Sequence, residues 1–151
     1  MMVLEPLAVQ VRGLGRWTCD FQGGDRRLAR LTRRPWPARA RLELADGRRY
    51  EIVPSGRWRP VWLLWHGERE CGQGRPHRLA RRAELVYEAV PYFILPEAPR
   101  ARRYGLINEA DTRVLTIAFR SPLRREAELC PQVALDLALV VFAYELASRL
   151  L

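Results

Sequence analysis

Short alternations of apolar and polar residues run through most of this chain and predict β-strands. In residues 38–44 (ARARLEL) every second side chain is apolar, and the residues between them are charged. A period of two places the apolar residues on one face of a strand. The pair Asp46-Gly47 follows and predicts a hairpin turn, with RRYEIV as the returning strand. A strict two-residue loop would set charged Glu43 beside Tyr50, so we expect a longer loop or a bulge.

Further segments of the same character predict a meander of antiparallel strands. They are residues 58–65, 84–88, 92–95, 103–107 and 113–119. The first of them, WRPVWLLW, is apolar on both faces, which is expected of a strand that is covered on both sides. In the last of them Leu115, Ile117 and Phe119 share one face. The segment NEADT (108–112) has the composition of a turn between two of these strands.

Two stretches of the chain, 42 positions apart, share a pattern that suggests an internal repeat. Tyr50-x-Ile52-x-Pro54, then seven residues and Trp62-x-Leu64, recurs as Tyr92-x-Ile94-x-Pro96, seven residues and Tyr104-x-Leu106. A polar turn follows each copy, HGERE after the first and NEADT after the second. Two explanations stay open: a duplicated hairpin unit that builds a pseudo-symmetric barrel, or coincidence among alternating strands.

The chain closes with an apolar segment that predicts a helix. Pro131 suits a helix start, and residues 132–151 contain no Gly, Pro or Asn. Such a helix would span roughly 30 Å, which fits both a bilayer and a small domain. Asp136 and Glu145 would emerge on opposite sides of it, and Glu145 would pair with Arg149 near an exposed helix end. Because charges are costly inside a bilayer, we expect a buried core helix and no transmembrane segment, with a tail anchor and an oligomerisation helix as alternatives.

The order of these elements resembles the tubby-like C-terminal domain superfamily. The similarity is to its LURP-one-related and phospholipid-scramblase-like branch, in the compact form of bacterial members. It is carried by RLELADGRRYEIV, WRPVWLLWHGE, RYGLINEADTRVLTIAF and VALDLALVVFAYELASRLL. The resemblance implies one domain over residues 1–151, mainly β with one C-terminal helix (α+β). In that fold a closed antiparallel β-barrel of about twelve strands wraps around a buried hydrophobic helix.

What the resemblance implies about function is less specific. Tubby proteins bind phosphoinositides through basic surface residues, scramblase-like members associate with membranes, and many bacterial members have no assigned activity. No position here matches the lipid-binding residues of tubby proteins, so none is transferred to this chain. The resemblance therefore implies a ligand class, anionic phospholipid, without a site.

Composition changes this picture in two ways. The formal net charge is +9, which favours anionic partners, but the chain has no lysine and all 26 basic residues are arginine. Total use of arginine indicates a genome-wide bias, so the charge is informative and the choice of arginine is not. Three cysteines without C-x-x-C spacing, and a start (MMVLEPLAVQVRG) without the features of a secretory signal, predict a soluble cytoplasmic protein.

Motifs for catalysis or cofactor binding are weak. His66, Cys71 and His77 match no zinc spacing and lack a fourth ligand, which favours loop and strand-end roles over a metal site. Gly13-Leu14-Gly15 lacks the third glycine of a dinucleotide site. With two histidines and no G-x-S-x-G motif, a Ser-His-Asp catalytic system is not expected. We expect a non-enzymatic protein with no catalytic residues, no metal and no cofactor. An enzyme built on a barrel cavity is the alternative, and paired-carboxylate chemistry stays open without candidate residues.

The strongest surface feature is RRLARLTRRPWPARAR (26–41), with seven arginines in sixteen residues. Because the residue before a proline favours extended conformations, Trp36 is predicted on a loop beside basic side chains. The candidate residues for binding an anionic phospholipid or another phosphate-bearing ligand are Arg26, Arg27, Arg33, Arg34 and Trp36. Alternatives are a nucleic-acid-binding module, and a solvated strand face with Trp36 folded over the barrel end. A second basic cluster, RARRY, occupies residues 100–104.

Overall fold

The computed structural model describes residues 1–12, 18–99, 102–121 and 125–151. In this part of the chain fourteen strands precede one helix. The strands are β1 (Met2–Val3), β2 (Leu7–Arg12), β3 (Thr18–Gly23), β4 (Arg26–Pro35), β5 (Ala38–Leu44), β6 (Arg49–Ser55), β7 (Val61–His66), β8 (Arg69–His77), β9 (Arg82–Tyr87), β10 (Val90–Pro96), β11 (Arg103–Ile107), β12 (Arg113–Phe119), β13 (Ala127–Pro131) and β14 (Leu135–Asp136), and the helix α1 is Leu137–Ser148.

Twelve of the strands, β2 to β13, form a closed barrel in which all neighbours are antiparallel. Neighbours in the barrel are also neighbours in the sequence, except where β13 pairs with β2 and closes the sheet. The short strands β1 and β14 form a separate two-stranded pair. The prediction of a closed antiparallel barrel with one C-terminal helix is thereby confirmed.

The helix α1 occupies the barrel interior, and all twelve of its residues are buried. Two glycines of β8 let it approach the wall: a Cβ on Gly72 would lie 3.1 Å from Phe142, and one on Gly74 would lie 2.3 Å from Leu146. The prediction of a buried core helix is therefore confirmed. In the described parts of the chain, no helix has the length and apolarity needed to cross a membrane.

The predicted start of this helix was wrong. Pro131 is the last residue of β13, where it lies opposite Leu115 of β12. The helix begins six residues later, because Asp136 adopts an extended conformation and its side chain accepts a hydrogen bond from the Ala138 backbone N–H. Asp136 also accepts a hydrogen bond from the hydroxyl of Tyr87, at 2.6 Å. The carboxylate therefore caps the helix and ties its first turn to the barrel wall.

The loop between β5 and β6 is longer than two residues, as predicted from the mismatch of Glu43 with Tyr50. Residues 45–48 connect the two strands, and the Leu44 backbone N–H donates to the carbonyl of Arg48. Leu42 then lies opposite Tyr50, and both side chains are buried. The turn predicted at 108–112 is also present, where the Asn108 side chain accepts hydrogen bonds from the backbone N–H groups of Ala110 and Thr112.

The segment 58–65 differs from its prediction as a strand covered on both sides. Only its second half belongs to β7, and Trp58 precedes that strand in a turn with 94% of its surface exposed. In β7, Trp62 and Leu64 are buried, whereas Leu63 and Trp65 are half-buried. The physical reason is that a closed barrel around one helix covers only the inner face of each strand.

The two copies of the suspected repeat form hairpins of identical register. In the first, Ile52 pairs with Leu64 and Pro54 with Trp62. In the second, Ile94 pairs with Leu106 and Pro96 with Tyr104. The hairpins start four strands apart in the twelve-strand order, which is not the half-turn of a twofold duplication. Duplication itself therefore stays a prediction.

Candidate functional site

The connections between strands divide into two sets, one at each end of the barrel. Because neighbouring strands are antiparallel, successive connections lie at opposite ends. Of the described residues, one set comprises 36–37, 56–60, 78–81, 97–99 with 102, and 120–121 with 125–126, and the other comprises 24–25, 45–48, 67–68, 88–89 and 108–112. The helix runs toward the first end, since Glu145 in its last turns contacts Arg33 near the end of β4.

The two ends carry opposite charge. Among the described residues, the first set of connections holds seven arginines and two carboxylates, and the second holds six carboxylates and one arginine. We call these sets the basic rim and the acidic rim. The C-terminal end of α1, with its partial negative charge, points toward the basic rim, so the helix dipole is aligned favourably with this distribution.

Three apolar side chains project from the basic rim. Trp36, Trp58 and Leu79 are each at least 90% exposed, and they are the most exposed of the large hydrophobic residues in the described part of the chain. Each lies in a different connection, and these three connections follow one another around the rim. Because each is two strands from the next, the turns are spaced by about 10 Å. A monomer in water gains nothing from such a row of exposed apolar tips.

Arginines accompany the aromatic tips. Arg57 and Arg59 flank Trp58 in the sequence, and both are exposed. Arg34 and Arg39 lie directly opposite each other across β4 and β5, next to Trp36. Like charges in directly opposed positions weaken a sheet. In the described residues no carboxylate forms an ion pair with any of these four, so the site has positive charge to offer an anion.

A cleft of about 550 Å³ separates the turns that carry Trp58 and Leu79. Its walls combine apolar and basic side chains, namely Trp58, Arg59, Pro60, Arg75, Pro76, His77, Arg78, Leu79 and Ala80. His77 Nε2 lies 3.9 Å from Glu84 Oε1, which is too long for a hydrogen bond. A concave, largely apolar surface with several guanidinium groups can accommodate an anionic group attached to an apolar body.

The five predicted binding residues do not lie together. Arg26 and Arg27 begin β4 at the acidic rim, whereas Arg34 near its other end adjoins the basic rim, roughly 25 Å away. Trp36 lies in the predicted loop with its ring in solvent, and it is not folded back over the barrel end. Of the predicted set, the structure therefore brings together only Arg34 and Trp36.

Arg33 is the main correction, because its side chain points into the barrel. Its Nη2 lies 2.6 Å from Glu145 Oε2, its Nε donates to the same oxygen at 2.9 Å, and its Nη1 donates to Cys19 Sγ at 3.2 Å. Side chains alternate along a strand, so neighbours such as Arg33 and Arg34 face opposite sides of the wall. Arg33 is therefore a core residue and is excluded from the outer surface.

Glu145 is also more buried than predicted. It pairs with Arg149 at 2.9 Å, as its i,i+4 spacing indicated, but it has no exposed surface. Burial disfavours its charged form, yet the charges of Arg33 and Arg149 outweigh burial, so the pKa of this carboxyl lies below its ordinary value. The guanidinium of Arg149 in turn lies over the ring of Trp62, 3.5 Å from its centroid.

Inside the barrel, near the basic rim, positive charge exceeds negative charge. Burial, together with the charge of Arg33, lowers the pKa of Arg125, and burial lowers the pKa of Arg149. The hydroxyl of Tyr144 donates to the Arg125 carbonyl at 2.5 Å, which fixes that connection to the helix. Among the described residues, Glu145 is the one carboxylate whose charge raises the pKa of all three arginines, Arg33, Arg125 and Arg149.

The other candidate motifs are dispersed. His66 stacks on Tyr50 beside the acidic rim, whereas His77 ends β8 at the basic rim. The thiol of Cys71 donates to the Leu64 carbonyl inside the wall. Within the described ranges no group of three His, Cys, Asp or Glu side chains could hold a metal ion. Gly13-Leu14-Gly15 and the first two residues of RARRY lie outside the described residues.

Two residues of the site were missed from the sequence, Trp58 and Leu79. The strand predicted over 58–65 includes Trp58, although a glycine precedes Arg57-Trp58-Arg59 and a proline follows it, which is typical of a turn. Leu79 offers a weaker signal, a single large apolar residue between Arg78 and Arg81.

Comparison with known proteins yields no match: no family model, no curated protein and no solved structure is significantly similar to this chain.

Proposed function

We propose that this protein is a non-enzymatic barrel that docks on anionic phospholipid surfaces through its basic rim. The observation that carries the proposal is the row of three exposed apolar tips, Trp36, Trp58 and Leu79, in consecutive turns of an arginine-rich barrel end. Tryptophan rings settle at the headgroup level of a bilayer, and guanidinium groups pair with phosphate. Each arginine near an anionic membrane surface contributes about 1 kcal/mol to attachment.

The distribution of charge favours one orientation on the membrane. The basic rim would face the anionic headgroups, and the acidic rim would be repelled and point away from them. Trp36, Trp58 and Leu79 lie at the convex tips of turns, where they could enter the interface together without a change in the barrel wall. The cleft between the last two tips could then receive a phosphate group with the apolar part of its lipid.

Nucleic acid is the alternative partner, since Trp36 beside Arg34 would suit stacking on a single strand. Leu79 argues for the membrane instead, because an aliphatic tip offers hydrocarbon contact but no ring to stack on a base. A base-stacking platform also requires a groove that follows the strand, whereas these tips project from separate turns.

We also propose the tubby-like superfamily as the family of this chain. A twelve-strand barrel around an apolar C-terminal helix is the architecture that the resemblance implies, and it supports the assignment. The cysteines Cys19, Cys71 and Cys130 carry free thiols, which supports a reducing compartment such as the cytoplasm.

Co-sedimentation with vesicles tests the proposed docking. The full chain is mixed with vesicles of phosphatidylcholine alone, and with vesicles that also contain phosphatidylserine. We expect binding to the anionic vesicles only, and weaker binding at high salt. The double variant Trp58→Ser/Leu79→Ser is expected to lose about tenfold or more in binding, because two apolar contacts with the interface are removed.

Val133→Ser is the matched control, since Val133 is an exposed apolar residue that follows β13 at the acidic rim. It should bind anionic vesicles as the wild type does. Equal binding to neutral and anionic vesicles, or none at low salt, would overturn the proposal. A salt-dependent anisotropy shift with labelled single-stranded DNA, abolished by Trp36→Ala, would instead support the nucleic-acid alternative.

A further inference from the structure

The cleft at the basic rim forms because β8 extends beyond β7. Pairing between these two strands ends at Trp62 and Gly74, whereas β8 pairs with β9 as far as His77. Continuing the register of β7 and β8 would set Pro60 opposite Pro76, and neither proline has an N–H to donate to the other strand. The last three residues of β8 therefore have a partner strand on one side only, and all three line the cleft.

The cleft carries positive charge. Its lining includes three exposed arginines, Arg59, Arg75 and Arg78. In the described part of the chain, no aspartate or glutamate forms an ion pair with any of them. Arg78 donates one hydrogen bond, to a main-chain oxygen of Leu151 at 3.4 Å. Glu84 lies opposite Arg75 across β8 and β9 and 3.9 Å from His77, but it is not part of the cleft walls.

Apolar groups form the rest of the cleft walls. They belong to Trp58, Pro60, Pro76, Leu79 and Ala80. The volume of about 550 Å³ lies within the range of small-molecule sites, which is about 300–1,000 Å³. The cleft therefore presents guanidinium groups and an apolar surface to the same ligand.

We propose that this cleft binds a single amphiphile whose phosphate monoester is joined directly to an apolar body, as in phosphatidic acid or lysophosphatidic acid. A phosphate monoester carries a charge of about −1.5 to −2 at pH 7 and three acceptor oxygens, which guanidinium groups bind in pairs. A phosphodiester has one charge and two such oxygens, so it satisfies fewer of the three arginines. The proposal rests on the proposed lipid docking for its ligand class, and it adds selectivity for the headgroup.

Isothermal titration calorimetry with soluble probes at about pH 8, where a phosphate monoester is a dianion, tests the cleft without a membrane. Hexyl phosphate, kept below its micelle concentration, is expected to bind. Hexyl sulfate has the same chain and one charge less, so it should bind about fivefold more weakly. Inorganic phosphate and glycerol 3-phosphate lack the apolar body and should bind about tenfold more weakly or less. No binding of hexyl phosphate, or another probe that binds as tightly, would overturn the proposal.

The double variant Arg75→Gln/Arg78→Gln assigns binding to the cleft. It should weaken the binding of hexyl phosphate about tenfold or more, because two guanidinium groups are removed. Both side chains are exposed, so thermal unfolding should be unchanged. Arg26→Gln/Arg27→Gln is the matched control, since it removes two exposed charges at the acidic rim and should bind as the wild type does. Equal losses for the two double variants would show attraction by net charge, not a site.

Vesicles separate this proposal from the proposed docking. At matched surface charge, the wild type should bind vesicles with phosphatidic acid about fivefold more tightly than vesicles with phosphatidylserine. Arg75→Gln/Arg78→Gln should remove that preference. Attachment to both kinds of vesicle with equal affinity would overturn the selective cleft and leave the docking intact. Binding of hexyl phosphate without attachment to either vesicle would overturn the docking and support the cleft as a site for soluble amphiphiles.

Discussion

Arginine occurs both inside the barrel and at its basic rim, but its role differs between the two places. Arg33 is buried and holds the helix through Glu145, whereas its chain neighbour Arg34 is exposed beside Trp36. A buried arginine without its carboxylate is strongly destabilising, while an exposed arginine has almost no influence on stability. Inner arginines should therefore be sensitive to substitution in folding, and rim arginines in binding.

The largest effect is expected inside the barrel, for Glu145→Gln. This change leaves Arg33 and Arg149 buried without their carboxylate and should lower the free energy of unfolding by about 3–5 kcal/mol. Urea denaturation followed by circular dichroism measures it. The double variant Arg33→Met/Glu145→Leu should be less destabilised than Glu145→Gln, since it leaves only Arg149, and no longer Arg33, without its carboxylate. A single variant as stable as the wild type would show that the ion pair is dispensable.

The complementary change is at the rim, Arg57→Glu/Arg59→Glu. The charges of two exposed side chains are reversed, so binding to anionic vesicles should fall about tenfold or more. The melting temperature should stay within error of the wild type. The matched control is Arg26→Glu/Arg27→Glu, an equal change of charge beside the acidic rim. Equal losses for the two double variants would mean that net charge, not the rim, governs binding.

Packing against the helix gives a smaller effect. A Cβ at Gly74 would meet Leu146 at 2.3 Å, so Gly74→Ala should cost about 1–3 kcal/mol of stability through overpacking. Gly105→Ala serves as the comparison, because the nearest atom to its Cβ would belong to the flexible side chain of Arg113, at 3.0 Å, and Ile107 Cδ1 would lie 3.4 Å away. Chemical denaturation of both variants decides whether close approach of the helix or loss of glycine itself matters.

The smallest expected effect is a dependence of stability on acid pH. The pKa values of Glu145 and Asp20 lie below their ordinary values, because paired arginines outweigh the effect of burial. The unfolded chain therefore binds these protons first, and stability is lost as pH falls below about 4, the ordinary range of carboxyl groups. Melting temperatures measured down this range should show a shallower loss for Glu145→Gln than for the wild type. Parallel curves would assign the acid sensitivity to other groups.

Most of the fold could be predicted from local patterns. Alternation along 38–44 placed Leu42 and Leu44 in the core, and the mismatch of Glu43 with Tyr50 indicated the loop of residues 45–48. The helix start could not be predicted as reliably. Pro131 suits a helix N-terminus and also the end of a strand, and only its pairing with Leu115 decided between them.

The candidate site was less predictable, since its residues come from turns far apart in the chain. Trp36 could be recognised because two prolines surround it, but nothing local connects it to Trp58 or Leu79. These residues share one end of the barrel because two strands, an even number, separate each turn from the next. Arg26 and Arg27 are close to Trp36 in the sequence, so the prediction places them in the same site. In the structure the ten-residue strand β4 lies between them and Trp36 and carries them to the opposite rim.

The sequence by itself determined the strand alternation, the wholly apolar helix and the surplus of positive charge, because these follow from local periodicity and composition. Only the tertiary structure decided which arginine lies inside and which turns share a rim. Closure of the barrel turned one face of β4 toward Glu145, and burial there made Arg33 part of the core. Antiparallel pairing then separated the charged turns into two opposite ends, an arrangement that no single segment encodes.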